Sequence, residues 1–311
     1  MDNLVVWTRR VGIPVLFFFS MGAGSVLAQD FEVDERVALP FPPGIALQSQ
    51  CGQVDDLQHV EFYDGTLGVD RPYVDTHEPT TVQMQWLDEA EIRSRLPDHS
   101  PGNVAGNRWC TGTLLDNHRV LTAGHCFDVA NGGGGYWVTP YKLGTDGSPQ
   151  FASPDELATL QVVNFGYQIN GATGEIRDAK VYPIVALVEY REGGDHLDYA
   201  VIELGPGADG KLPGDVYEPA DVSTRAATIG ENLAIIQHPH GDPKKVEAGK
   251  VLGTSGAILY YDDIDTHGGS SGSGVRDREG TVIGVHTNGG CQHSANRGVS
   301  LNSVADVSDI F

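Results

Sequence analysis

From Trp109 to His286 the chain alternates short β-rich runs with turn residues, and that rhythm limits it to an all-β architecture. Cys110 to Leu115 reads as a strand, Asp116-Asn117-His118 as a turn and Arg119 to Thr122 as the returning strand. Further strands are expected at Leu160 to Phe165, Val181 to Tyr190 and Tyr199 to Leu204, then at Leu233 to Gln237, Val246 to Leu252 and Thr281 to His286. Gly, Pro and Asp dominate between Gly205 and Ala220, which reads as the connection between two halves. Gly132 to Gly135 is a loop. The 40 glycines, roughly twice the usual share of about 7%, suit a turn-rich β protein.

Helical signals are few. Asp88 to Leu96 carries a weak one, and Ser153-Pro154-Asp155-Glu156 resembles a brief helix start. Val304, Val307, Ile310 and Phe311 fall at helical spacing, so the chain is expected to end in a short amphipathic helix. There is no internal sequence repeat.

Residues 1–28 read as a signal peptide. Arg9 and Arg10 form a positive start, Val11 to Phe19 an apolar run, and Val26-Leu27-Ala28 a small-residue cleavage site. Thr8-Arg9-Arg10 lacks the rest of a twin-arginine motif, and no later stretch is apolar enough to cross a bilayer. Residues 29–77, rich in Pro and acidic residues and without clear periodicity, read as a pro-segment or N-terminal extension. A secreted or periplasmic protein is expected. Its net charge of −22 opposes binding to nucleic acid or anionic membranes through a general field.

Four cysteines, Cys51, Cys110, Cys126 and Cys291, in an exported chain imply disulfides with three possible connectivities. None has C-x-x-C spacing, so zinc is not indicated. His238-Pro239-His240 lacks further ligands, and a solvated loop pair accounts for it better than a metal. No cofactor is expected.

Three segments carry chemistry. Leu121-Thr122-Ala123-Gly124-His125-Cys126 holds an imidazole able to accept a hydroxyl proton near neutral pH if its position is fixed. A Cys110–Cys126 bridge would clamp that loop. Asp198, immediately before the apolar run Tyr199 to Leu204, can orient an imidazole, although Asp before a strand is also ordinary turn chemistry. Gly268-Gly269-Ser270-Ser271-Gly272-Ser273-Gly274 can expose a nucleophilic Ser271 on a tight turn, with the N–H groups of Gly269 and Ser271 as oxyanion donors.

The Cys-Thr-Gly-Thr…Leu-Thr-Ala-Gly-His-Cys, Asp-Tyr-Ala-Val and Gly-Gly-Ser-Ser-Gly-Ser blocks, in the order His, Asp, Ser, resemble the trypsin-like (chymotrypsin-fold) serine peptidases over roughly residues 78–311. The resemblance implies two antiparallel six-stranded β-barrels, about 78–205 and 221–311. It also implies a His125–Asp198–Ser271 triad acting on protein or peptide substrates as a monomer. If Cys110 pairs with Cys126, Cys51 and Cys291 remain to pair. Within the family, Asp265-Thr266-His267-Gly268-Gly269 followed by Gly284 to Gly289 is similar to the bacterial glutamyl endopeptidases, as are Asn296 to Val299. Thr266 and His286 then stand at carboxylate-binding positions, and His267 lines the substrate cleft.

Two departures matter. Gly274 stands where Pro is frequent, and Ser270 stands where animal trypsins have Asp, so activation by an N-terminal ion pair to that residue is not expected. Asp265, six residues before Ser271, is where animal trypsins bind a basic P1 side chain, so cleavage after Arg or Lys is the alternative to cleavage after Glu. A catalytically silent secreted binding protein on the same fold is a further alternative. An α/β-hydrolase is opposed by the failure of G-x-S-x-G around Ser271 and by the motif order, and a protease-chaperone by the want of a peptide-binding domain.

Overall fold

The computed structural model describes residues 50–128, 137–193, 196–291 and 294–311. The expected signal peptide and the Gly132 to Gly135 loop lie outside the described residues. No described helix is long and apolar enough to cross a membrane.

Twelve strands form two closed rings. The first comprises β1 (Thr81–Trp86), β2 (Arg108–Leu114), β3 (Arg119–Thr122), β4 (Gln161–Phe165), β5 (Lys180–Arg191) and β6 (Tyr199–Leu204). They pair antiparallel in the order β1-β2-β3-β6-β5-β4, and β4 closes back on β1. The second comprises β7 (Asn232–Gln237), β8 (Lys245–Ser255), β9 (Ile258–Asp262), β10 (Gly274–Arg276), β11 (Val282–Asn288) and β12 (Asn296–Ser300). Their order, β7-β8-β9-β12-β11-β10 and back to β7, repeats the first barrel's topology. Each barrel closes on itself, and the start of β8, which β9 does not reach, is paired by Gln58–His59.

The period of two along a strand explains why β6 is apolar at every position but Glu203. Ala200, Ile202 and Leu204 fill the first barrel, while Tyr199 and Val201 face the other way. There they meet Val282, Val285 and Val299 of the second barrel and the short helix Leu301–Val304. This seam joins the barrels and positions what lies between them. In β7, Leu233 and Ile235 fill the second barrel, while Ala234 and Ile236 pack against Val60, Tyr63, Val69 and Val74.

The latter four residues belong to the stretch in which no periodicity is legible. It contains helix α1 (Arg71–His77), started by Asp70, whose side chain accepts from Tyr73 N, and by Pro at its second position. Helix α2 (Glu89–Arg95) is capped the same way by Asp88, and α3 (Pro154–Thr159) by a capping box from Ser153 to Glu156. The C-terminal helix α4 (Leu301–Val304) is shorter and earlier than the apolar spacing suggests. Ile310 and Phe311 instead pack against the seam from irregular chain, and Val307 is exposed.

Cys110 bridges Cys126, and Cys51 bridges Cys291. The first closes a loop of 16 residues, which on the chain-entropy model stabilises the fold by about 3 kcal/mol. The second ties the segment at residue 50 to the second barrel.

Candidate active site

His125 sits in the single turn Gly124–Phe127, directly after β3. In the β3–β6 ladder Thr122 opposes Ala200, and continuing that register by two residues brings Asp198 to Gly124. A side chain at position 124 would strike Arg191 O at 2.1 Å and approach Asp198 Oδ1 at 3.2 Å, so only glycine allows the approach. Asp198 grips the turn at two points. Oδ1 accepts from His125 N at 2.9 Å, and Oδ2 lies 2.7 Å from His125 Nδ1.

Burial by itself would lower the affinity of His125 for a proton. The charge of Asp198 and its hydrogen bond outweigh burial and hold His125 above the ordinary value of 6.5. Burial likewise opposes ionisation of Asp198, but the charge of His125 and the bonds from the His125 ring and backbone keep it below the usual carboxylate range.

The loop 268–272 lies against the first barrel. Gly269 has φ +100° and Gly272 φ +89°, and a Cβ on Gly272 would meet Thr111 O and Thr122 Oγ1 at 2.1 Å and Ala123 N at 2.9 Å. Thr111 of β2 fastens the loop. Its N–H donates to Ser271 O at 2.8 Å, its hydroxyl donates to Gly269 O at 2.8 Å, and that hydroxyl accepts from His238 N at 3.1 Å. Ser271 is half-buried, beside a glycine that touches the strand leading to His125. Among the described residues, Ser271 Oγ makes no hydrogen bond and the N–H groups of Gly269 and Ser271 have no acceptor. Such bonds commonly tighten only when substrate docks. Ser270 is turned inward, where its hydroxyl accepts from His267 N at 3.1 Å, and Ser273 Oγ donates to Ser270 O at 2.6 Å. Both serve the turn.

Thr266 and His286 flank this loop. Asn296 Nδ2 donates to Thr266 Oγ1 at 3.0 Å and to Ile264 O at 2.7 Å, while Asn296 Oδ1 accepts from Gly290 N at 2.7 Å. His286 O accepts from Gly272 N, and His286 N donates to Ser273 O, both at 2.8 Å. Its Nδ1 meets the hydroxyl of Tyr261. Burial, helped by the charge of His125, pushes His286 down to about 3, so the ring is neutral. Reading motifs alone singles out neither Tyr261 nor the anchoring role of Asn296.

Asp265 is fully buried and accepts from Cys51 N through Oδ1, while its own N–H donates to Glu247 Oε2 at 2.8 Å. Burial pushes Asp265 up to about 6. Burial, a hydrogen bond to Asp56 and the charge of Asp265 push Glu247 up to about 10, so Glu247 is a neutral acid at pH 7. Asp56, Glu247 and Asp265 bring oxygens within 4.8 Å of one another, the acidic set that could hold one cation. The proton on Glu247 already offsets part of their repulsion. Cys51, Asp262 and Cys291 also meet, but both sulfurs are in the disulfide.

His267 bonds Asp55 at 2.9 Å through Nε2 and stacks on His240 with ring centroids 4.4 Å apart. His238 is buried, bonds Asp242 O at 2.9 Å through Nδ1, and burial pushes it down to about 3. It serves the core rather than forming a solvated pair with His240.

Residues 110–285 match the model of the trypsin-like peptidase domain. A glutamyl endopeptidase of Staphylococcus epidermidis is 29% identical over 172 residues, covering 50% of this chain and 60% of that relative. One from Staphylococcus aureus strain MW2 is 32% identical over 109 residues, covering 34% of this chain and 33% of the relative. The chain therefore matches less than two thirds of either relative's length. A solved structure, of a Glu endopeptidase in complex with MPD, aligns with a TM-score of 0.48 and 18% identity, over 73% of this chain and 86% of the other. Because the domain match extends through more than half of the 311 residues and includes strands of both barrels, the chain belongs to the trypsin-like peptidase family.

Proposed function

We propose that this chain is an exported serine endopeptidase that hydrolyses peptide bonds by acyl transfer, with Ser271 as nucleophile, His125 as general base and acid, and Asp198 as orienting carboxylate. The observation that carries the reading is the two-point grip of Asp198 on His125 beside the Ser271 turn. Nδ1–H is committed to Asp198, which leaves Nε2 as the acceptor for the serine proton. The acylating step places negative charge on the carbonyl oxygen, and the N–H groups of Gly269 and Ser271 are the donors to receive it. His125 then returns its proton to the leaving amine, and water attacks the ester by the same route in reverse.

This assignment sets the sign of the pH dependence. His125 must be neutral to accept the proton. kcat/KM should therefore rise with pH as His125 deprotonates, with a midpoint above 6.5, because Asp198 favours the imidazolium. A pH series of kcat/KM on one peptide checks it, and a midpoint below 6 would contradict the pairing.

Cleavage after Glu is the preferred specificity. The relatives are glutamyl endopeptidases, and neutral His286 and the Thr266 hydroxyl are suited to donate to a carboxylate. The basic-P1 alternative needs an Asp265 carboxylate open to substrate, but Asp265 is fully buried and its Oδ1 already accepts from Cys51 N. A charge-assisted bond contributes about 1.5–3 kcal/mol, so His286→Ala should lower kcat/KM after Glu by about 10- to 150-fold. The rate of fluorophosphonate labelling should stay near wild type. Efficient cleavage after Arg or Lys, lost in Asp265→Ser and unaffected by His286→Ala, would overturn the assignment. Residues 1–28 are the proposed export signal.

A further inference from the structure

Tyr261 is the hydrogen-bond partner of His286 Nδ1. It lies on β9 and is fully buried, in one apolar cluster with Leu233, Ile235, Leu259 and Ile264. Among the described residues its hydroxyl has one polar neighbour, His286 Nδ1. The ring of His286 is neutral and carries a single N–H, which sits on one nitrogen or the other.

The two arrangements differ in what they leave unpaired. With the proton on Nδ1, His286 donates to the tyrosine oxygen, and the phenol proton has no acceptor in its apolar surroundings. An unpaired buried donor costs about 1–3 kcal/mol. With Tyr261 donating to Nδ1, both groups are satisfied, and the ring proton falls on Nε2.

We propose that Tyr261 is a positioning residue of the P1 subsite: its hydroxyl donates to His286 Nδ1 and holds the ring as the Nε2–H tautomer, which donates to a P1 carboxylate. Nε2 has no partner among the described residues, and His286 is close enough to His125 and Asp198 for both charges to act on it. The opposite tautomer would turn a lone pair toward the carboxylate and repel it. That tautomer would instead accept from a glutamine amide, so Tyr261 also favours Glu over Gln. The inference rests on the Glu-preferring reading of this site for its substrate, but not for the tautomer.

The test has two arms. In protein labelled with ¹⁵N-histidine, long-range ¹⁵N–¹H correlations report the protonated nitrogen, with His286 assigned by its loss in His286→Ala. The wild type should show Nε2–H, and Tyr261→Phe should populate Nδ1–H. In parallel, Tyr261→Phe should lower the Glu-to-Gln ratio of kcat/KM about tenfold, the weight of one hydrogen bond, while fluorophosphonate labelling of Ser271 stays within about twofold. A wild type carrying Nδ1–H would overturn the inference, and this arm remains decisive if Tyr261→Phe does not fold. So would a folded Tyr261→Phe with the wild-type tautomer and ratio. A wild type that shows Nε2–H yet does not prefer Glu would refute the specificity reading while leaving the tautomer assignment standing.

Discussion

Ser271→Ala is expected to lower kcat for peptide hydrolysis by about 10⁶-fold while the fold is retained. The reaction as proposed has one covalent bond to the protein, at Ser271 Oγ. Removing that atom leaves substrate binding and oxyanion stabilisation, which give only a small residual rate over water. The fold should survive because Ser271 is half-buried and its hydroxyl makes no hydrogen bond among the described residues. What shapes the turn is Thr111, through its N–H and its hydroxyl, and the glycines at 269 and 272. Ser273 provides the control. It is buried, and its hydroxyl is spent on Ser270 O, so Ser273→Ala should cost about 1 kcal/mol of stability and little activity. Steady-state kinetics and thermal unfolding of both variants check this. The reverse pattern, with Ser273→Ala inactive and Ser271→Ala active, would show that the wrong serine has been assigned.

Asp198→Asn is expected to be the next most damaging change, lowering kcat by about 10⁴-fold near neutral pH. Both carboxylate oxygens are acceptors, one for His125 N–H and one for the ring Nδ1–H. An asparagine keeps one acceptor and replaces the other with a donor. The donor facing the ring favours the tautomer with a bare Nδ1, and Nε2 then carries a proton and cannot accept one from Ser271. The lost negative charge should also move the pH midpoint of the residual activity downward, since that charge raises His125. Kinetics and the pH profile of Asp198→Asn measure both effects. A loss under tenfold with an unmoved midpoint would mean that another group orients His125.

Much of this site is legible in the chain because its chemistry is local. A histidine beside a cysteine, an aspartate at a strand entrance and a serine among glycines each keep their motif within ten residues. Strands apolar at nearly every position, such as Tyr199–Leu204 with Glu203 as its one charge, are equally plain. Less legible are elements whose environment is tertiary. β1, Thr-Val-Gln-Met-Gln-Trp, carries a fully buried Gln83 whose amide oxygen accepts from Asn164 Nδ2 at 2.7 Å on the neighbouring strand, so a core strand looks half-polar. β10 is only three residues long, and β12 is built from Asn-Arg-Gly-Val-Ser. The equivalence of the two barrels is a matter of strand order alone, with no sequence repeat to reveal it. Residues 58–77 hide helix α1 among acidic residues, because its seven residues bury only Val74 and show no apolar periodicity. Tyr261 and Asn296 act through contacts 25 and 30 residues away in sequence, with His286 and Thr266, and no local pattern marks such a pair.

The central claim is that Ser271 is the nucleophile, activated by His125. The most direct measurement is mass-spectrometric peptide mapping after reaction of the active protein with a fluorophosphonate, which forms a stable adduct only with an activated serine. The account predicts one adduct per chain, on Ser271, absent in His125→Ala. An adduct on Ser270 or Ser273, or labelling of Ser271 that persists undiminished in His125→Ala, would contradict it.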